Sequence, residues 1–137
     1  KRPRTTLTPS FVMKQGQPWW AFGTQGGDQQ DQWTLQFFLN VIEFGLDLQA
    51  AIDTPTFHSL HFPSSFYPRA QFPGRLVVEG RIPPETRAAL AARGHEIIVI
   101  DDWGQGGRVM GVQQDAATGF LRGAATPRNE TAYAVGW

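Results

Sequence analysis

The stretch Trp19-Trp20-Ala21-Phe22-Gly23-Thr24-Gln25-Gly26-Gly27-Asp28 decides how this chain reads. Its apolar residues fit a strand, the glycine pair breaks that strand, and residues 29–44 continue at helical spacing. A strand that turns through glycines into a helix leaves backbone N–H groups unpaired above the turn, at the positive end of the helix dipole. Gly26 and Gly27 are therefore candidate donors to an anion, or to an oxyanion that develops during a reaction. A glycine pair alone is an ordinary turn. The flanking strand and helix make it a candidate site. Asp28 reads as the cap of the helix that follows.

Working outward, the helix carries Trp33, Phe37, Val41 and Phe44 on one stripe, with Phe38 and Ile42 alongside, so it should pack on a sheet. Gly45 suits its end, and Asp47 suits the cap of a second, short helix through Ile52 that Thr54-Pro55 closes. Residues 11–14 look like a strand that pairs with residues 19–24 across the turn Gln15-Gly16-Gln17-Pro18. Downstream, residues 60–74 read as a long surface loop and residues 76–79 as a strand. Pro83 or Pro84 begins a third helix, which Gly94 stops. Residues 96–100 read as a buried strand and residues 103–107 as a flexible connector. Residues 109–114 and 120–124 pair around Asp115-Ala116-Ala117-Thr118-Gly119. The tail from Thr126 is irregular. Strands arranged as hairpins with helices between them predict an α+β fold, with largely antiparallel sheets and flanking helices, as a single domain over residues 1–137.

Composition excludes several classes of function. The chain has 137 residues, 41% hydrophobic and 18% charged, which suits a globular domain. Twelve basic residues balance twelve acidic ones, so there is no electrostatic footprint for nucleic acid. No apolar run is long enough to suggest a membrane span. Cysteine is absent, which removes disulfides, thiolate metal sites and cysteine nucleophiles, and leaves the compartment open. The start, Lys1-Arg2-Pro3-Arg4 without an initiator Met, reads as part of something longer.

Other motifs compete with plainer readings. Thr5 and Thr6 open a hydroxyl-rich run to Ser10 that suits local backbone bonding; on an extended segment, adjacent hydroxyls could also donate to a substrate carboxylate. His58, His61 and His95 lack metal-ligand spacing, so no metal and no cofactor is expected. Gly104-Gln105-Gly106-Gly107 lacks the Lys-Ser/Thr of a phosphate loop and reads as a connector.

Five ordered segments resemble the C-terminal part of the small subunit of gamma-glutamyltranspeptidases. Residues 1–10, with Thr5-Thr6, resemble the family's RP-x-SS-M-S-P-T segment. Gly23-Thr24-Gln25-Gly26-Gly27 resembles its GSPGG loop. Asn40-Val41-Ile42-Glu43-Phe44-Gly45-Leu46 resembles its helix end, and residues 51–58 its AP-R-x-H stretch. Gly123-Ala124-Ala125-Thr126-Pro127-Arg128, with terminal Gly136-Trp137, resembles its GASDPR…GY ending.

The resemblance implies an N-terminal nucleophile (Ntn) hydrolase fold, an αββα sandwich of which this chain holds part. It implies a precursor that cleaves itself and exposes a threonine, whose own α-amine serves as general base. That hydroxyl attacks the γ-glutamyl amide of glutathione-type substrates, and water or an amino acid takes the acyl group. Gly26 and Gly27 would supply oxyanion donors, and Thr5 and Thr6 would hold the γ-glutamyl carboxylate. Arg128 would anchor the tail. The nucleophile would lie on an upstream segment, so the chain alone should be inactive. Its partners would be the rest of the same precursor and a small-molecule amide. Asp28, Gln29 and Thr56 depart from the family pattern, and relatives deacylate cephalosporin side chains or oxamate. A different acyl group, or a non-catalytic module that keeps the fold, therefore stays open.

Overall fold

Strands β1 (Ser10–Lys14) and β2 (Gln17–Gly23) form the expected antiparallel hairpin, turned at Gln15 and Gly16. They begin a computed structural model that describes residues 6–128 and 132–136. Two compact units form, one from the described residues up to Thr54 and from Gly107 onward, the other from Pro55–Gly106.

In the first unit, β6 (Met110–Gln114) pairs with β2, and β7 (Leu121–Ala125) pairs with β6, giving an antiparallel sheet in the order β1-β2-β6-β7. A 3₁₀ turn at Gly27–Gln29 leads into α1 (Gln30–Ile42), and α2 (Leu48–Asp53) follows. Trp20 and Phe22 from β2 meet Trp33 and Phe37 from α1, and Leu48, Ala51 and Ile52 from α2, in one core. Trp20 stacks on Phe22 at 4.3 Å and meets Phe37 edge-on at 5.0 Å between ring centroids. Burying each such ring contributes roughly 1.5–3 kcal/mol. Asp47 caps α2 as expected, its carboxylate accepting from the Ala50 N–H at 2.8 Å.

Both helices lie against one face of the sheet, so the alternation of the strands sends the other face outward. Phe11, Ala21, Val112 and Gly123 stand opposite one another across that second face. Phe11, Met13, Met110, Val112 and Leu121 are exposed there. A groove of about 570 Å³ runs over it to Gly23, with Ala21, Met110, Val112 and Tyr133 in its lining.

Two expectations for this unit are corrected. Phe44 is 72% exposed rather than part of the core stripe, because α1 ends at Ile42 and the chain turns away through Gly45 at positive φ. Asp28 lies inside the 3₁₀ turn, and neither this turn nor α1 has a side-chain cap.

The second unit holds β3 (Phe57–Ser59), β4 (Arg75–Glu79), α3 (Pro84–Ala92) and β5 (Glu96–Ile100). Strand β3 pairs antiparallel with β4, but β4 and β5 are parallel, with α3 as the crossover between them. Strand β5 is an edge of this sheet and Val99 is exposed, so the continuous apolar run that read as buried is not. Strand β3, only three residues long, carries no strand signal in the sequence.

Candidate functional site

The turn after β2 has a backbone only glycine adopts readily. Gly26 lies at φ 144° and Gly27 at φ 61°. Space imposes the same choice at Gly26, where a Cβ would collide with the Trp33 ring. On the ring's other contact, a Cβ on Gly107 would come within 2.7 Å of it. Trp33 is 5% exposed, so the indole is a rigid floor that two glycine backbones approach.

Side chains pin the rest of the turn. Gln30 Nε2 donates to the Thr24 carbonyl at 2.6 Å, from a residue 5% exposed. The Thr24 hydroxyl accepts from the Arg108 N–H at 2.7 Å and donates to the Gln25 carbonyl at 2.7 Å. With its amide oxygen turned toward Arg108, Gln25 accepts from Nη1 at 2.7 Å and from Nε at 3.1 Å.

Within this scaffold the amides of Gly26 and Gly27 make no hydrogen bond among the described residues. Both glycines are half-buried, so these amides are partly open to solvent rather than sealed in the core. Two adjacent donors, held on the Trp33 ring where a 3₁₀ turn opens a 13-residue helix, are the candidate site that the glycine pair marks. Gln30 Oε1 is buried without a hydrogen-bond partner next to this turn.

Thr5 lies outside the described residues. Thr6 is half-buried, and its hydroxyl makes no hydrogen bond among them. The segment after it runs beside the end of β2, where the Thr8 carbonyl is 3.9 Å from the position of a Cβ on Gly23. The Arg128 guanidinium is occupied at the end of α2, donating to the carbonyls of Ile52 at 2.7 Å and Thr54 at 2.9 Å.

A second polar cluster, in the Pro55–Gly106 unit, has the opposite character. Glu79 is fully buried, and its carboxylate accepts from the Thr56 N–H at 3.1 Å, the Gln105 N–H at 3.4 Å and Arg81 Nη2 at 2.9 Å. Arg81 also donates to the Asp102 carbonyl and stacks 3.4 Å over the Trp103 ring. Gln105, expected on a flexible connector, is 4% exposed. Its Nε2 donates to the Val77 carbonyl, which leaves Oε1 to accept from His58 Nδ1 at 2.8 Å and fixes that tautomer. Burial pushes His58 below its ordinary value, and the bond to Gln105 opposes that shift. His61 and His95 bond instead to the backbone of Gly74.

Thr24, Gln30, Trp33 and Arg108 hold the turn, and sequence reasoning singled out none of them for that task. Trp33 read as core, which it is. Its position between Gly26 and a glycine 81 residues later in the chain has no local signature.

The chain is α+β, with one antiparallel sheet, one mixed sheet and flanking helices, and its solved relatives place it in the Ntn-hydrolase fold class. A family model described as gamma-glutamyltranspeptidase matches residues 1–136, and the chain belongs to that family. It is 31% identical over 129 residues to the glutathione hydrolase proenzyme of Escherichia coli (strain K12), covering 94% of this chain and 20% of that protein. It is 29% identical to the oxamate amidohydrolase proenzyme of Klebsiella pneumoniae, covering 98% of this chain and 24% of that protein. A solved protein described as LmbA2991HD is 52% identical, with a TM-score of 0.92 over 99% of this chain and 24% of its own. The cephalosporin acylase from Bacillus halodurans is 34% identical, with a TM-score of 0.79 over 94% of this chain and 22% of its own. The chain thus spans about a fifth to a quarter of the length of these proteins.

Proposed function

We propose that this chain is the C-terminal portion of a gamma-glutamyltranspeptidase-like amidohydrolase or acyltransferase. On this reading residues 1–137 belong to one domain, completed by a large subunit and an upstream segment of the same precursor. The segment carries a threonine whose Oγ attacks the γ-glutamyl carbonyl carbon of a glutathione-type amide, while its α-amine takes the proton. The carbonyl oxygen becomes negative and receives the N–H groups of Gly26 and Gly27. The C–N bond then breaks, the amine leaves with that proton, and water or an amino acceptor releases the acyl group. Thr5 and Thr6 hold the carboxylate of the substrate. This chain alone, lacking the nucleophile, turns nothing over. Its outward apolar sheet face is where the rest of the precursor packs.

The amides of Gly26 and Gly27 carry this reading: they make no hydrogen bond among the described residues, and the Trp33 ring, Gln30 and Thr24 hold the turn that presents them. The test is an amide-to-ester exchange at residue 27 in the complete protein, which deletes the donor. Proline would delete it too, but cannot adopt φ 61° and would disturb the turn. The ester should lower kcat by roughly 10²–10³-fold, the usual loss for one oxyanion donor. An unchanged kcat would remove the oxyanion role.

A second reading keeps the chemistry and changes the acyl group. The likenesses to the oxamate amidohydrolase and the cephalosporin acylase favour it. Turnover of γ-glutamyl-p-nitroanilide against an oxamate or cephalosporin amide separates the two readings.

A further inference from the structure

We infer that Arg108 is a specificity-determining residue that selects amide substrates carrying a carboxylate. The inference rests on the oxyanion reading of the glycine turn and names a substrate class for that site.

Arg108 is exposed, yet both its backbone and its side chain are tied to the turn. Its N–H is bonded to the Thr24 hydroxyl, and its Nε and Nη1 to the Gln25 amide oxygen. Thr24 and Gln25 immediately precede Gly26 and Gly27. The guanidinium is therefore held within two residues of the candidate oxyanion donors, at the end of β2 and just before β6.

What holds it is neutral. No carboxylate lies within ion-pair distance of Arg108 among the described residues. Arg69, Arg87 and Arg93 also lack a carboxylate partner among the described residues, but none of them is bonded to the glycine turn, and four further arginines are occupied. Arg75 pairs with Glu96 at 2.8 Å, Arg81 with Glu79 at 2.9 Å and Arg122 with Asp115 at 3.1 Å. Arg128 is spent on two helix-end carbonyls. An exposed arginine with a solvated task is usually a loose side chain. Here two of its donors are used to fix its direction, and its charge is left uncompensated.

A guanidinium presents five donors in a planar fork, so binding Gln25 through Nε and Nη1 leaves Nη2 able to meet a carboxylate oxygen. Prior fixation by Gln25 lowers the rotamer entropy that such a contact would otherwise cost. The same guanidinium is bonded to Gln25, the residue before Gly26, so its charge adds to the positive end of the turn.

The complete protein tests this with matched p-nitroanilides. One member of each pair carries a carboxylate, on the acyl chain or on the anilide ring, and the other is neutral. Arg108→Met should lower the ratio of kcat/KM for carboxylated over neutral members by roughly 10- to 100-fold, as for one lost charge-assisted hydrogen bond. Arg108→Lys keeps the charge and should restore part of the ratio. An unchanged ratio in Arg108→Met overturns the inference. The ester at residue 27 separates this from the underlying reading: it should depress all members alike. If it does so while Arg108→Met leaves the ratio intact, only the role of Arg108 is lost. If the ester has no effect, the oxyanion reading itself falls.

Discussion

Two turns in this molecule bury polar groups, and they treat them in opposite ways. In the Pro55–Gly106 unit, the Glu79 carboxylate meets two backbone donors and a guanidinium, and Gln105 is bonded through both ends of its amide. In the unit built on β1-β2-β6-β7, comparable effort fixes the turn at residues 24–27, yet two backbone N–H groups find no acceptor among the described residues. The first arrangement satisfies its own demands, so its product is stability. The second uses its hydrogen bonds to hold two donors that no group among the described residues meets, which is what the proposed oxyanion role requires. What distinguishes these two clusters is whether their polar groups are met among the described residues.

The contrast can be broken from its floor upward. Trp33→Ala removes the surface on which Gly26 and Gly107 rest, and should cost about 3–5 kcal/mol, as for a large buried aromatic. Denaturant titration of the complete protein reads that loss. If the turn depends on this floor, kcat should fall with it under conditions where the variant remains folded. A stable variant with full kcat would show that the turn holds itself.

Glu79→Ala attacks the satisfied cluster and should cost about 3 kcal/mol, because Arg81 and two backbone donors lose their acceptor. Here the expected signature is a lower Tm with unchanged kcat in whatever protein remains folded. A loss of kcat would erase the distinction drawn between the two turns.

The smallest effect concerns pH. Burial lowers the folded-state value of His58 below 6.5, while the unfolded chain accepts a proton around that value. Its stabilising contribution is therefore complete above about pH 6.5 and declines as pH falls toward the folded value. His58→Gln should flatten the fall of Tm on the acid side of pH 6.5, with little change above it. An identical pH profile would mean that His58 does not report this cluster.

Much of the fold was legible because it rests on short-range rules. The β1-β2 hairpin, the Trp33-Phe37-Val41 stripe, the Asp47 cap and the proline start of α3 each depend on residues within a few positions of one another. The glycine turn was legible for the same reason. Expectations failed where distant residues decided. An apolar run at residues 96–100 says nothing about whether another strand lies beyond it, so β5 read as buried although it is a sheet edge. The parallel pairing of β4 and β5 is equally silent in either strand alone. Gln105 looked like part of a loose glycine-rich linker because the groups that bind it, His58 and Val77, are far back in the chain.

By itself the sequence determined where helices, turns and glycine-dependent backbone occur, and through its ordered motifs the family to which the chain belongs. Tertiary structure decided that Trp33 supports two remote glycines, that Gln30 and Thr24 lock the turn, and that Arg108 is brought beside it without a counter-charge. Local conformation follows from dihedral preference and hydrogen bonds a few residues long, which a sequence states directly. Which donor stays unpaired depends on every acceptor the folded chain brings near it, and that is known only once the chain has closed on itself.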